Sequence, residues 1–229
     1  MSNKTVVIHQ PDFLPYLGFF HRLLSANEFI VLDHVRMSKR GWVHRDKIKT
    51  SNGEKWLTIP IKDISANNII REAEIDYNSH FDKMLNHISA NYVEALYYDE
   101  IFPALESIFS KKYQMLVDLN MALIDKLLEW FDIHTNITFS SSYRVTSRKS
   151  KMNVDLVTAV KGSVYLSGQG AKDYHEQEPF DQSNITVIWQ EFNHPDYPQL
   201  HGRFIPFLSS IDLLFNCGVK RSRDVIRGC

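Results

Sequence analysis

The chain has 229 residues, of which 44% are apolar and 23% are charged, and its formal net charge is −1. These values are typical of a folded soluble protein that is long enough to bury a large core. A net charge this close to zero excludes an overall positive electrostatic field that would attract nucleic acid. No stretch of the sequence reaches the roughly 20 consecutive apolar residues of a membrane span. Two cysteines, Cys217 and Cys229, indicate no disulfide framework. We expect a cytoplasmic protein with no nucleic-acid partner and no membrane span.

The first part of the chain predicts a strand-helix-strand unit. Residues 5–8 form a β-branched run, residues 17–27 carry apolar side chains at helical spacing, and residues 28–33 form a second apolar run. Strand, helix and strand with short links are typical of a parallel sheet. The expected fold class is therefore α/β with a parallel, Rossmann-like core.

The middle of the chain predicts a β-hairpin followed by helices. Asn52-Gly53 lies between the β-prone residues 42–48 and 55–61, and Asn-Gly favours a hairpin because both residues tolerate positive φ. Helical periodicity marks three later segments, residues 80–92, 99–109 and 112–130. We interpret a helical segment at about residues 78–131 as an insertion in a single domain that spans residues 1–229.

The last third repeats the opening pattern. We expect three strands, at 136–139, 163–166 and 186–190. We also expect a helix at 153–161 and a short helix at 209–215 that Gly218 stops. The strand at 163–166 runs into Ser167-Gly168-Gln169-Gly170-Ala171, which is expected to open another helix.

The stretch HQPDFLPYLGFFHRL, residues 9–23, follows the first predicted strand directly. Ligands of open α/β sheets bind beyond the carboxyl ends of the strands, so His9, Gln10 and Asp12 are candidate site residues. His9 can act as a general base or bind phosphate, and Gln10 and Asp12 can bind hydroxyls or an amine. His21 is expected to face the same crevice. The alternative for each histidine is a hydrogen-bonded structural role.

Aromatic residues are dense in the same stretch. Phe13, Tyr16, Phe19 and Phe20 are too many for one narrow helix stripe, so at least one is expected to line a cleft. An aromatic wall suits a base or a sugar ring. Asp33, at the end of the second predicted strand, is a further candidate for this crevice.

A group of basic side chains follows in KRGWVHRDK, residues 39–47. Arginine binds phosphate bidentately and glycine allows close backbone approach, so this segment is the best candidate in the chain for binding a diphosphate. The alternative is a solvated charged face, because no Walker-type or GxGxxG spacing occurs. The residues concerned are Lys39, Arg40, Trp42, His44 and Arg45.

The segment YLSGQGAKDY, residues 165–174, predicts a tight turn that presents Ser167 and Gln169. No nearby residue supplies the base that a serine nucleophile needs. No histidine or carboxylate spacing predicts a metal site, so no metal is expected. Asp212 fits a helix cap, with a position in the cleft as the alternative.

These motifs together resemble the WbqC-like protein family. The resemblance rests on IHQPDFLPYLGFFHRL, FIVLDHVRMSKRGWVHRDKI, WLTIPI, YLSGQGAKDY and LSSIDLLFNCG, in that order, and it covers nearly the whole chain. Members of the family are typically encoded among genes for O-antigen and other surface polysaccharides. The sequence departs from the family pattern at His34, where an acid or an apolar residue is more usual.

The resemblance implies a transferase of surface-polysaccharide biosynthesis that forms an amide on the amino group of a nucleotide-linked amino-dideoxy sugar. The group transferred is an acyl, formyl or aminoacyl group such as glycyl. In this hypothesis His9 is the first choice of base and Asp12 the second, with Tyr16 and Trp42 as the aromatic wall. The basic segment holds the diphosphate, and backbone N–H groups near residues 168–170 stabilise an oxyanion.

The sequence does not select the acyl donor or a cofactor. A CoA or carrier-protein thioester, a formyl-folate, and an amino acid with ATP all remain open, and an acyl carrier protein is a candidate partner. Two other classes also stay open. One is an ATP-dependent adenylating or nucleotidyltransferase-like enzyme, which releases pyrophosphate, and the other is a non-catalytic protein that binds a sugar nucleotide.

Overall fold

A computed structural model describes residues 3–63, 68–78 and 81–228. The strands are β1 Thr5–His9, β2 Glu28–Val31, β3 Arg45–Thr50, β4 Gly53–Thr58, β5 Asn136–Phe139, β6 Val164–Ser167 and β7 Thr186–Trp189. The α-helices are α1 Leu17–Leu23, α2 Asp82–Tyr92, α3 Tyr98–Ser110, α4 Leu116–Phe131, α5 Lys149–Ala159, α6 Glu178–Gln182 and α7 Ile211–Arg227.

Five strands form one parallel sheet in the order β5-β2-β1-β6-β7. If the strands of this sheet alone are numbered along the chain, the order is 3-2-1-4-5, which is the Rossmann-like arrangement. The direction of winding reverses between β1 and β6, and such a switch point leaves a crevice at the carboxyl ends of the two strands. β3 and β4 form a separate antiparallel hairpin. The predicted α/β fold class is confirmed.

Both faces of the parallel sheet are covered, as the uninterrupted apolar run in β1 requires. Successive side chains of a strand point to opposite faces. Val7 accordingly packs in the larger core with the helices α1, α4 and α7, whereas Val6 and Ile8 pack in a second core with α5 and α6. This double burial fixes β1 at the centre of the sheet and places the residues after Ile8 at the switch point.

The predicted hairpin is present, and Gly53 adopts the positive φ of 95° that its turn requires. Its first strand begins at Arg45 rather than at residue 42. The Trp42 carbonyl accepts a hydrogen bond from Phe13 N–H (2.9 Å), so this residue pairs with the loop after β1. The approach to the hairpin therefore borders the carboxyl end of β1.

Several predicted helix bounds differ from those in the structure. α1 ends at Leu23, four residues before the predicted end, and α4 begins only at Leu116 because Met115 before it is extended. His80, in the predicted second helix, lies outside the described residues. The turn after β6 continues as a 3₁₀-helix, Gln169–Tyr174, and not as an α-helix.

The predicted stop at Gly218 is present as a break, and a second helical segment that was not predicted follows it. Gly218 does leave the helical conformation, with φ 70° and ψ 167°, but helix resumes after it and reaches Arg227. The ring of Tyr97 lies 2.5 Å from the place where a Cβ of residue 218 would be, so this position accepts only glycine without rearrangement.

The helices between the hairpin and β5 help to shape the site. Asn120 of α4 is fully buried, and its Nδ2 donates to the carbonyls of Pro11 (2.7 Å) and Val43 (2.6 Å). These bonds hold the loop after β1 against the approach to the hairpin. Within the described part of the chain, no helix has both the length and the apolar character that a membrane span needs.

Candidate active site

His9 and Asp12 form a pair at the carboxyl end of β1. The His9 Nδ1 atom lies 2.9 Å from the Gln10 carbonyl oxygen and 3.5 Å from Asp12 Oδ2. Because a carbonyl oxygen only accepts, the hydrogen bond to Gln10 requires the proton on Nδ1. The neutral ring therefore keeps the lone pair on Nε2, where it can accept a hydrogen bond from a ligand.

The pKa values of this pair are shifted in opposite directions. Burial, with the nearby Arg22 charge as the second cause, lowers the pKa of His9 to about 3 although the Gln10 carbonyl opposes the shift. Burial also raises the pKa of Asp12 to about 7, and Arg22 only partly offsets it. At neutral pH the imidazole is uncharged and the carboxyl group is close to half-ionised. Such a carboxyl group can take up or release a proton during a reaction.

Arg22, on α1, brings a positive charge to the same place. The residue is only 6% exposed. Its positive charge acts to lower the pKa of four neighbouring groups, His9, Asp12, Tyr16 and Tyr165. His9 and Asp12 lie at the end of β1, Tyr16 directly precedes α1, and Tyr165 lies on β6. Sequence analysis did not select this arginine, although a cation inside the apolar helix LGFFHRL was a usable signal.

Asp46 adds a second buried carboxyl group from the hairpin. It is 2% exposed, and burial raises its pKa well above the ordinary value, with the Asp12 charge adding to the effect. The alternation of the strand was a usable signal for it, because His44, Asp46 and Ile48 share one face and all are buried. We refer to the group at the switch point as the strand-end cluster, and it comprises His9, Asp12, Tyr16, Arg22, Asp46, Tyr165 and Ser167.

Tyr16 is the aromatic residue that enters this cluster. Phe13, Phe19 and Phe20 are in the core, whereas Tyr16 is half-buried. Its ring folds over Gly18, where a Cβ would lie 2.4 Å from the ring. Burial is the main cause of its raised pKa. Tyr16 is therefore the candidate among the four aromatic side chains for lining a cleft, and that role stays a prediction.

The basic segment does not form one compact site. Lys39 and Arg40 are exposed, and His44 is buried with an Nδ1 that has no hydrogen-bond partner among the described residues. Burial, with Arg45 as the second cause, lowers the pKa of His44. The Arg45 guanidinium instead lies 4.2 Å from the ring centre of Trp56 and donates to the Arg40 carbonyl.

Two exposed tryptophans form a platform beside this segment. The ring centres of Trp42 and Trp56 are 5.2 Å apart, and Lys47 lies 5.1 Å from the Trp56 ring on the same face as Arg45. The rings are 45% and 38% exposed, respectively. We call Trp42, Trp56, Arg45 and Lys47 the tryptophan platform. An exposed aromatic pair with two cations can stack on a ring and contact an anion.

The remaining candidates lie around the cluster. Gln190 Nε2 contacts both the Gly18 carbonyl (2.7 Å) and His21 Nδ1 (3.1 Å), and its own carbonyl accepts from Gln169 Nε2 (2.7 Å). His21 therefore faces the segment after β7, where its ring also contacts Phe192 at 5.3 Å. Gln190 is a bridging residue that the sequence did not reveal.

Asp33 makes only structural contacts among the described residues. Its carboxylate accepts from the hydroxyls of Ser140 (2.8 Å) and Ser141 (2.6 Å) and from Ser141 N–H (2.9 Å). His34, the residue that departs from the family pattern, contacts Ser140 through Nδ1 at 2.6 Å. Both side chains thus join the end of β2 to the turn after β5.

The shifted pKa of Asp12 predicts a pH dependence of stability. The folded protein keeps the proton on Asp12 up to about pH 7, whereas the unfolded chain loses it near pH 4. The folded state therefore binds more protons in this range, and Asp12 lowers stability as the pH rises from 4 to 7. We expect Asp12→Asn to gain up to about 4 kcal/mol of unfolding free energy over the wild type between pH 4 and 8.

Urea unfolding at pH 4, 6 and 8 measures this difference. His9 has the opposite slope, because its lowered pKa makes stability rise with pH from about 3 to 6.5. That contribution is common to both proteins and cancels in the difference. Asp118→Asn, at an exposed aspartate, is the matched control and should show no such trend. A pH-independent difference for Asp12→Asn would show that the Asp12 carboxyl group titrates normally.

Comparison with known proteins identifies the chain. The family model described as WbqC-like protein family matches residues 10–224. A protein of Mycobacterium tuberculosis, the uncharacterized protein Rv1507c, is 31% identical over 229 residues that cover 99% of each chain. No solved structure matches the chain. The matched region includes the hairpin and both sides of the switch point. Because the family model covers nearly the whole chain, the chain belongs to the WbqC-like protein family.

Proposed function

We propose that the protein is a transferase that forms an amide on the amino group of a nucleotide-linked amino-dideoxy sugar, in the biosynthesis of a surface polysaccharide. The observation that carries the proposal is the pairing of Asp12, whose pKa burial raises to about 7, with a neutral His9 at the switch point. An amine reacts only as the free base, and a carboxyl group with a pKa near 7 is suited to remove its proton. Membership of the WbqC-like family supports the substrate class.

The two side chains take different roles in this proposal. The Asp12 carboxylate accepts a proton from the ammonium group of the sugar, while His9 Nε2 accepts a hydrogen bond that orients the nitrogen. His9 is the weaker base because its pKa is about 3. Asp12 is thus the preferred base and His9 a substrate-orienting residue, the reverse of the order that sequence analysis favoured.

The reaction then balances without a redox step. The amine nitrogen attacks the acyl carbon, and the new carbon–nitrogen bond forms as the bond from that carbon to the donor breaks, which is a bond to sulfur in a thioester, to oxygen in an acyl adenylate and to nitrogen in a formyl-folate. The second proton of the amine leaves with the departing thiol, nucleotide phosphate or folate nitrogen. Backbone N–H groups near residues 168–170, directly after β6, can stabilise the developing oxyanion.

Mass spectrometry of the sugar nucleotide tests the proposal. We expect a mass gain when UDP- or dTDP-linked amino-dideoxy sugars are incubated with the protein and one of four donors. The donors are acetyl-CoA, an acyl carrier-protein thioester, formyl-tetrahydrofolate, and glycine with ATP. The donor that gives the product identifies its class, and the matching 6-deoxy sugar nucleotide without an amine is the substrate control.

Two outcomes would contradict amide formation. Pyrophosphate release from ATP with no change in the sugar mass would favour the adenylating or nucleotidyltransferase-like class. Stabilisation by a sugar nucleotide with no product from any donor would favour a protein that only binds. Either result would leave the family assignment unchanged.

A further inference from the structure

The Arg22 guanidinium is a buried charge that has no hydrogen-bond or ion-pair partner among the residues that the structure describes. Its Nε is inaccessible to solvent. The Asp12 carboxyl group acts to raise the pKa of Arg22, but the two groups are farther apart than the 4.0 Å limit of an ion pair. Burying an unpaired cation destabilises a fold, so such a residue is expected to serve a ligand.

The fold makes room for this guanidinium at the switch point. Gly168 follows β6 directly, and a Cβ there would lie 2.6 Å from Arg22 Nη1. A side chain at residue 168 would therefore displace the guanidinium. Glycine at this position lets the cation reach the crevice between the ends of β1 and β6, where α/β sheets bind their ligands.

The surrounding groups favour an oxyanion. Hydroxyls of Tyr16, Tyr165 and Ser167 lie on the loop before α1 and on β6, and the hydroxyls of the last two are 3.4 Å apart. Hydroxyl groups can donate hydrogen bonds to an oxyanion in addition to those from the guanidinium. A planar carboxylate is satisfied by the guanidinium fork alone, whereas a tetrahedral phosphate accepts bonds in several directions.

We propose that Arg22 anchors a phosphate-binding site at the switch point, which takes a phosphate group of a nucleotide ligand. The identification of that ligand as a nucleotide rests on the proposed function, but the phosphate site does not. The diphosphate thus lies at Arg22, and the exposed tryptophan platform is left to contact the base or sugar. This arrangement replaces the earlier expectation that the basic segment at residues 39–47 holds the diphosphate.

Binding is measured by isothermal titration and thermal unfolding, with no acyl donor present. The probes are inorganic phosphate, pyrophosphate, UDP, dTDP and ATP, with uridine and sodium chloride of matched ionic strength as controls. We expect the phosphate-bearing probes to bind and to raise the unfolding temperature, and uridine and chloride not to do so. Tighter binding of UDP or dTDP than of ATP identifies the sugar nucleotide as the source of the phosphate, and the reverse order identifies ATP.

Two variants test the role of the guanidinium. Arg22→Met should weaken binding of every phosphate probe by at least about tenfold without lowering the unfolding temperature of the ligand-free protein, because it removes an unpaired buried charge. Gly168→Ala keeps the charge but displaces it, and it should weaken binding by a similar factor. The control is Arg144→Met, at an exposed arginine, which should change neither quantity.

The results that would overturn the site are distinct from those that contradict amide formation. If no phosphate probe binds the wild type, or if both variants bind as tightly as the wild type, Arg22 holds no phosphate. Lower stability of ligand-free Arg22→Met with unchanged binding by Gly168→Ala would assign the arginine a structural role. Phosphate binding that depends on Arg22, without any amide product, would retain this site and remove only the proposed function.

Discussion

Asp12→Asn is expected to reduce the rate of amide formation by roughly 10² to 10⁴-fold, the usual effect of losing a general base. Asparagine has the shape of the protonated carboxyl group, which the folded protein already accommodates below pH 7. The fold should therefore persist while proton transfer is lost. The measurement is kcat/KM for the amide product, and circular dichroism confirms the fold.

The pH profile separates this role from simple binding. In the wild type, kcat/KM should rise with pH and level off above an inflection near pH 7, as Asp12 ionises. His9→Asn should be less active but retain that inflection, because the base is still present. Asp118→Asn is the control and should keep both rate and profile. Full activity of Asp12→Asn, or an inflection that disappears in His9→Asn alone, would reassign the base to His9.

Asp212→Ala is expected to lower the free energy of unfolding by about 3–5 kcal/mol. Asp212 is fully buried and accepts hydrogen bonds from Tyr92 OH (2.7 Å) and Gln199 Nε2 (2.8 Å). The negative charge of Asp212 also acts to raise the pKa of Lys49. Lys49 is 1% exposed and donates hydrogen bonds to two backbone carbonyls. Removing the carboxylate takes this acceptor from the Tyr92 hydroxyl and Gln199 Nε2, and it removes the negative charge near the buried Lys49.

Urea unfolding at pH 7 gives this value. Asp224→Ala, at an exposed aspartate on the same helix, is the control and should change stability by less than about 0.5 kcal/mol. The contacts of Asp212 accord with the structural interpretation of this residue and not with a place in the cleft. An Asp212→Ala protein with wild-type stability would show that the hydrogen bonds to Asp212 contribute nothing to the free energy of unfolding, whatever the activity of the variant.

The sheet was predictable because its signals are local. The β-branched run at the start of β1, the helix after it and Asn52-Gly53 each specify their own conformation, and together they specify a parallel core and a hairpin. Helix ends were less predictable, since they depend on tertiary contacts. Gly218 illustrates this, because its positive φ interrupts α7 beside the ring of Tyr97 and the helix resumes after it.

The site was predictable only in part, for a related reason. Placing ligands at the strand ends led to His9, Asp12 and Ser167, which the structure brings to one switch point. Arg22 and Asp46 were missed because their importance lies in burial, which a single sequence does not report for charged residues. The space that a buried charged side chain occupies is set by residues far away in the chain, such as Gly168 beside Arg22.

The central position of β1 also has a consequence for biosynthesis. One side of this strand pairs with β2, which leaves the ribosome soon after it, but the other side waits for β6, which begins at Val164. A growing chain therefore carries an open strand edge through most of its synthesis, and such edges pair readily with wrong partners. The crevice between β1 and β6 forms only after β6 has been synthesised. A ligand bound there can stabilise the finished protein but cannot protect the nascent chain while that edge is exposed.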